Sequence, residues 1–174
     1  MRLGVRDGID GASVRTIARE AGVSEGALYK HYSSKSELIR DAYTTIVEDM
    51  ARDKMVLVQA NLPFEHAIRA WIELTYKSFD GSRDAFTYVL LMPHWMADSL
   101  GEVTRCQGQM FREFFAKAVE KGEAKPIEPD IAYALFTGLV LNIPRLINDG
   151  SIPGPAGRYT DQIVEAVWRL FLPD

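Results

Sequence analysis

The sequence predicts an all-α chain in which two short helices near the N-terminus precede a larger helical body. Three observations support this fold class. Apolar residues recur at three- and four-residue spacing, strand-like alternation is nearly absent, and Gly, Pro, Ser and Asn divide the chain into segments of helical length. Of the 174 residues, 47% are hydrophobic, which suffices for one ordinary domain or for a small domain fused to a larger one.

Start and stop signals define the two short helices. Ser13 can cap a helix over Val14–Ala21, and Gly22 can end it because glycine tolerates the left-handed conformation. Ser24 can cap a second helix over residues 25–32. Two short helices joined by a tight glycine-containing turn form a helix-turn-helix. The residues predicted to pack in its corner are Ile17, Ala18, Ala21, Val23 and Leu28.

The rest of the chain carries longer helices. Residues 34–37, Ser-Lys-Ser-Glu, match a capping box that opens a third, longer helix. Apolar faces at helical spacing predict further helices over residues 64–79, 103–119, 131–147 and 159–172. The helix over 131–147 is apolar over most of its circumference, which is typical of a helix buried on several sides.

Charge is distributed unevenly along the chain. The net charge is −4, yet residues 1–40 hold seven Lys and Arg against five Asp and Glu, so the excess of acids lies in the remainder. A basic N-terminal domain on an acidic body favours phosphate binding at one end.

The lone cysteine, Cys106, fits a reducing cytoplasm, and the sequence shows neither a signal peptide nor an apolar run of about 18–20 residues. We therefore expect a cytoplasmic protein without membrane contact.

Residues 13–39, SVRTIAREAGVSEGALYKHYSSKSELI, resemble the DNA-binding segment of the TetR family of regulators. The Ile-Ala pair, Ala-Gly-Val-Ser at the turn, the Leu-Tyr and His-Tyr pairs, and the Ser-Lys pair that opens the next helix carry the likeness. It implies that residues 25–32 form the recognition helix, which enters the major groove of operator DNA. The alternative is that the two short helices are simply part of a helical bundle.

The predicted DNA-binding residues lie at the helix starts and on the exposed face of the recognition helix. Lys30 can donate to guanine or phosphate, and Glu25 can accept from cytosine or merely favour its helix N-terminus. Tyr29 and His31 resemble backbone-positioning groups, and Lys35 at a helix N-terminus suits phosphate. Tyr32 is assigned to the core rather than to DNA. The full set is Ser13, Val14, Arg15, Ser24, Glu25, Gly26, Ala27, Tyr29, Lys30, His31 and Lys35.

One feature departs from the family pattern. Family members usually carry a full amphipathic helix ahead of the helix-turn-helix, whereas only residues 1–7 precede the glycine-containing turn at residues 8–11. The first helix is therefore expected to be truncated. Part of the helix-turn-helix corner would then be uncovered.

The body is expected to sense a ligand. Residues 86–96 are rich in aromatic residues and methionine, and Pro93 can kink their helix. A small apolar or aromatic effector would bind a cavity with a few polar groups, although most of these side chains also fit an ordinary core. The candidate ligand-binding residues are Trp71, Thr75, Phe79, Phe86, Tyr88, Met92, His94, Trp95, Met96, Met110 and Phe114.

The organisation that follows is a DNA-binding domain over residues 1–40 and an effector-binding and dimerisation domain over residues 41–174. The resemblance implies repression by default and a homodimer through the last two helices. Two-fold symmetry would set two recognition helices at half-sites about 34 Å apart.

No histidine pair has the i,i+4 spacing of a helical metal site and no glycine-rich phosphate loop follows a strand, so no cofactor, metal or catalysis is predicted. Two rival functions are a helical ligand carrier or scaffold without DNA activity, and a small-molecule enzyme.

Overall fold

The computed structural model describes the backbone of residues 13–90 and 101–173 and the side chains of residues 13–89 and 107–173. All regular elements in this part of the chain are helical, which confirms the predicted fold class. In chain order they are α1 (Val14–Ala21), α2 (Glu25–His31), α3 (Lys35–Gln59), α4 (Phe64–Gly81), α5 (Arg83–Leu90), α6 (Gly101–Glu120), α7 (Pro129–Asn148), a 3-10 helix (Ala156–Tyr159) and α8 (Thr160–Phe171).

The helix caps near the N-terminus form as predicted. The Ser13 hydroxyl accepts a hydrogen bond of 3.1 Å from the Thr16 amide, and the Ser24 hydroxyl accepts one of 3.1 Å from the Ala27 amide. Gly22 ends α1 at a φ of 69°, in the left-handed region that favours glycine. These contacts satisfy amides that would otherwise lack partners at the start of each helix.

The capping box at the start of α3 differs from the expected pattern in one bond. The Ser34 hydroxyl accepts from the Glu37 amide at 3.2 Å, as expected. The Glu37 carboxylate, however, accepts from the amide and the hydroxyl of Ser33, each at 2.6 Å. Ser33 offers two donors side by side, and these bonds lower the pKa of the Glu37 carboxyl.

The corner of the helix-turn-helix is less packed than predicted. Of the five residues expected there, only Ala18 is buried, while Ile17 and Leu28 are half-buried. The prediction was wrong for Ala21 and Val23, which are exposed, Val23 by 43%. Among the described residues α2 buries no side chain completely, because two helices this short cannot cover one another.

The body is built around α4, whose buried face touches most of the other body helices. α3, α5, α7 and α8 pack against it, and aromatic rings from α6 and α7 fill the space beside it. Burying each large apolar side chain contributes about 1.5–3 kcal/mol. The residues of α4 that are buried are Phe64, Ala67, Ile68, Trp71, Ile72, Thr75, Tyr76 and Phe79.

The C-terminal segment is fixed to α4 by a carboxylate. Asp80 accepts hydrogen bonds from the amides of Ala156 and Gly157, at 2.7 and 2.9 Å. These bonds satisfy the free amides at the start of the 3-10 helix and position α8 across α4. The prediction of one helix over 159–172 therefore becomes a short 3-10 turn followed by α8.

α7 is apolar on more than its buried side. By length and composition it could cross a membrane, yet a core helix passes the same test, and this one directs five side chains into the body: Ala132, Phe136, Val140, Pro144 and Ile147. On its outer side Ile131 is 54% exposed and Leu135 is 41% exposed. The helix thus leaves an apolar strip that the described part of the chain does not cover.

The predicted domain boundary between residues 40 and 41 falls inside α3, a helix of 25 residues. We call residues 13–34 the head and residues 41–173 the body, with the first turns of α3 joining them. The predictions for the truncated first helix and for Met92, Pro93, His94, Trp95 and Met96 lie outside the described residues.

Candidate functional site

The predicted DNA-binding residues lie in the head, except for Lys35 at the start of α3, and none of them is buried. Tyr29 is the most protruding aromatic side chain of α2, with 57% of its surface exposed. Glu25, Gly26, Lys30 and His31 are also exposed along the same short helix. The surface of α2 is therefore free to approach another molecule.

Small residues and a weak ion pair shape the start of α2. A Cβ atom added at Gly26 would meet nothing within 4 Å, so this position is open to solvent. The Arg15 guanidinium lies 3.8 Å from the Glu25 carboxylate, and both side chains are exposed. Such a pair contributes little to stability, because water screens it. Both groups can therefore exchange partners when a charged ligand arrives.

Tyr32, expected in the core, is half-buried and links the head to α3. Its hydroxyl donates a hydrogen bond of 2.8 Å to Asp41 Oδ2. That bond raises the pKa of the Tyr32 hydroxyl, since the carboxylate stabilises the protonated phenol. The ring also lines a narrow crevice with Val14, Leu28 and Leu38, where α1, α2 and α3 meet. Tyr32 thus positions α2 rather than facing outward from it.

The body contains a small, partly open cavity of about 50 Å³ between α3, α4, α6 and α7. This volume holds more than a single water molecule but not a large ligand in the observed arrangement. Apolar walls with a few polar groups are typical of small-molecule sites. The lining residues are Lys54, Trp71, Thr75, Gln107, Tyr133, Phe136, Thr137, Val140 and Leu141.

Lys54 is the charged group of this cavity. Only 6% of the residue is exposed, and its ammonium donates a hydrogen bond of 2.9 Å to Gln107 Oε1. The ammonium also lies 5.6 Å from the centre of the Trp71 ring, within the range of a cation–π contact. Burial lowers the pKa of Lys54 to about 8, and the nearby Asp53 carboxylate opposes that shift. The ammonium therefore remains mainly protonated at pH 7.

The two threonines of the cavity already use their hydroxyl protons. Thr75 donates to the Trp71 carbonyl at 2.8 Å, and Thr137 donates to the Tyr133 carbonyl at 2.8 Å. Their oxygens can still accept a hydrogen bond from a ligand. Lys54 is consequently the strongest hydrogen-bond donor among the lining residues.

The predicted ligand-binding residues divide into two groups. Trp71 and Thr75 line the cavity, and Phe114 stacks behind Trp71 with ring centres 6.3 Å apart, while Met110 is half-buried against the core. The other three described candidates lie away from it: Phe79 packs on Phe86, and Tyr88 packs on Tyr43. The apolar pattern did not distinguish cavity lining from core.

Sequence reasoning missed Lys54, although a signal was present. The buried residues of α3 recur every three or four positions, and Lys54 occupies one of these inward positions. A lysine within an otherwise apolar stripe indicates a buried charge. Gln107 and Tyr133 carry no comparable signal, because only the packing of α6 and α7 brings them to the cavity.

A head of two short capped helices with an exposed second helix, on an all-helical body with a partly polar cavity, defines a helix-turn-helix DNA-binding protein. The matched family agrees with this class. Residues 1–42 match bacterial regulatory proteins of the tetR family. The chain is also 29% identical, over 143 residues, to the HTH-type transcriptional regulator PksA of Bacillus subtilis (strain 168), an alignment that covers 78% of this chain and 70% of that protein. Residues 1–42 therefore carry a DNA-binding sequence of the tetR family, and the relatives that the chain resembles are transcriptional regulators rather than enzymes.

Solved structures share the fold across nearly the whole chain. AibR in complex with isovaleryl coenzyme A and operator DNA superposes with a TM-score of 0.77 at 21% identity, covering 99% of this chain and 94% of that one. FadR from Bacillus subtilis in complex with stearoyl-CoA gives a TM-score of 0.78 at 12% identity, covering 95% and 91% of the two chains. At these identities the likeness establishes the fold.

Proposed function

We propose that this protein is a dimeric repressor that binds operator DNA through α2 and is released when a small organic effector enters the body cavity. The continuity of α3 carries this proposal. Asp41, which holds the recognition helix through Tyr32, and Lys54, which lines the cavity, lie on the same helix. Thirteen residues separate them, a distance of about 20 Å along the helix axis.

A single helix that touches both sites can couple them. An effector that binds the DNA-incompetent arrangement more tightly shifts the population toward it and lowers operator affinity. By thermodynamic reciprocity, operator DNA must weaken effector binding by the same factor. The structural neighbour AibR was crystallised with both isovaleryl coenzyme A and operator DNA. This likeness supports the proposal that a small molecule regulates DNA binding here.

The proposed dimer forms through α7 and α8. The exposed apolar residues Ile131 and Leu135 form part of a strip that a second copy of the chain would cover. A two-fold axis there would present two α2 helices to half-sites about 34 Å apart. Action on operator DNA would also place the protein in the cytoplasm.

Within this proposal the head residues predicted from the sequence make the DNA contacts. Lys30 and Glu25 reach base edges, and Tyr29, His31 and Lys35 hold the phosphate backbone. In the body, Trp71 and Thr75 contact the effector. The division into a DNA-binding domain over residues 1–40 and an effector and dimerisation domain over 41–174 is part of the same proposal.

A DNA-selection experiment tests the proposal. Wild-type protein should enrich an inverted repeat from random duplexes, and it should retard the DNA upstream of its own gene. Gly26→Glu should abolish this binding, because it introduces bulk and negative charge on the α2 surface at a position where an added Cβ atom meets nothing within 4 Å. Gly81→Glu, an equally open helical position in the body, is the matched control and should bind normally.

Failure of the wild type to select any sequence would refute the regulator and favour a helical carrier or scaffold. Normal binding by Gly26→Glu would instead show that α2 is not the recognition helix. Circular dichroism melting of both variants checks that each is folded.

A further inference from the structure

We propose that the effector is a small organic acid whose anionic group is bound by Lys54 in the body cavity. The inference rests on the proposed function, since it assigns the ligand class of that same cavity. It goes beyond the apolar or aromatic effector expected from the sequence.

The first argument is the isolation of a buried charge. Lys54 is the single charged residue that is buried among the described side chains. No carboxylate in that part of the structure lies within salt-bridge distance of its ammonium, and the adjacent Asp53 is exposed. A buried cation without an anion is expensive, because neutral groups replace lost hydration incompletely. A partner supplied by the ligand would offset that cost.

The second argument is the geometry around the ammonium. One of its three protons points to Gln107 Oε1 at 2.9 Å, and the Trp71 ring lies to one side. The Gln107 amide nitrogen lies 3.5 Å from the Val47 carbonyl oxygen, which favours the orientation that turns its own oxygen toward Lys54. The remaining protons of Lys54 are then available for a carboxylate. A charge-assisted hydrogen bond of this kind is about twice as strong as a neutral one.

The third argument concerns the rest of the ligand. Phe136, Val140 and Leu141 supply apolar lining to the same cavity, and Trp71 offers an aromatic face. These surfaces match a branched or aromatic hydrocarbon group. At about 50 Å³ the cavity has room for the acid group and the carbons next to it, and because it is partly open the rest of a larger ligand would extend through the opening. A purely apolar ligand would leave the charge of Lys54 unpaired.

The test compares acids with neutral isosteres. Isobutyrate, isovalerate and benzoate are titrated by calorimetry into wild-type protein, each beside its amide. At least one acid should bind tenfold or more tightly than its amide, and it should release operator DNA at matching concentrations. Lys54→Met should lose the preference for the acid, while Lys117→Met, which removes an exposed lysine on α6, should keep it.

A second variant keeps the test independent of the Lys54 substitution. Gln107→Glu would place a carboxylate beside the ammonium and occupy the site from within, so acid binding should fall at least tenfold while the melting temperature is retained. Acids that bind no better than amides, or a Lys54→Met protein that still prefers acids, would overturn the inference. Operator binding without ligand is measured on the same samples. If the wild-type protein does not bind operator DNA, the proposed function is refuted. If it binds operator DNA and acids do not release it, only the acid effector is refuted.

Discussion

The Tyr32 hydroxyl donates a hydrogen bond of 2.8 Å to Asp41 Oδ2, and this contact joins the end of α2 to α3. It lies beside a narrow crevice lined by Val14, Leu28 and Leu38, where the head meets α3. Because a hydrogen bond is directional and apolar contact is not, this bond helps to set the orientation of α2. The same helix continues to the cavity at Lys54.

Removing this hydroxyl is expected to weaken communication between cavity and head. Tyr32→Phe should lower the factor by which an effector reduces operator affinity, because α2 then follows α3 less closely. Operator affinity itself should fall by less than about tenfold, since one exposed hydrogen bond is lost. Fluorescence anisotropy with and without effector measures both quantities.

Tyr159→Phe is the matched control for this prediction. The Tyr159 hydroxyl makes a bond of the same length, 2.8 Å, to the Pro153 carbonyl within the body. Its removal should leave the coupling unchanged. Equal coupling in wild type and Tyr32→Phe would show that the signal takes another route.

Lys35 and Lys30 are expected to act differently on DNA. Lys35→Ala should weaken binding to all sequences alike and reduce the slope of log affinity against log salt by about 0.9, as the loss of one phosphate contact should. Lys30→Ala should instead change the preference among operator variants. Titrations at four salt concentrations with three operator variants separate the two effects, and an unaltered salt slope for Lys35→Ala argues against its phosphate role.

The outer strip of α7 is expected to hold the dimer together. Leu135→Glu should give monomers, because the interface would bury an unpaired charge at a cost of several kcal/mol. Operator affinity should fall with it, since the two half-sites are no longer linked. Val56→Glu alters an apolar residue of α3 that is 63% exposed, and it should remain dimeric. Light scattering measures the molar mass of both variants. If the Leu135→Glu protein is still a dimer, the interface lies elsewhere.

The buried lysine predicts a pH-dependent stability. The unfolded chain keeps the Lys54 proton up to its ordinary pKa of 10.5, whereas in the folded protein burial lowers that pKa to about 8. Below pH 8 the folded state therefore bears the full cost of the buried charge, and this cost disappears as pH rises from 8 to 10.5. Lys54→Met should be more stable than wild type at pH 7 by up to about 3 kcal/mol.

Urea unfolding at pH 7 and pH 9.5 measures this difference, which should shrink at the higher pH. Lys117→Met, an exposed lysine replaced in the same way, should differ little from wild type at either pH. A Lys54→Met advantage that stays constant with pH would mean that the ammonium is not desolvated as described.

The sequence by itself determined the local structure of the head and the class of protein. The helix caps at Ser13 and Ser24 and the helix end at Gly22 involve only neighbours within about four residues. Their roles can therefore be predicted without knowing the fold, and the caps form where predicted. The periodicity of the body likewise predicted most of its helices to within two or three residues, because a buried face imposes the helical period on the chain.

Only the tertiary structure decided which of these residues share a site. Phe79, Phe86 and Tyr88 have the same apolar character as Trp71, yet they pack into the core while Trp71 lines the cavity. Lys54 and Gln107 are 53 residues apart in sequence, and they meet because α3 and α6 pack together. Helical period records which side of a helix faces inward, but it carries no information about which helix lies opposite. The electrostatic character of the cavity therefore depended on long-range packing that no local pattern encodes.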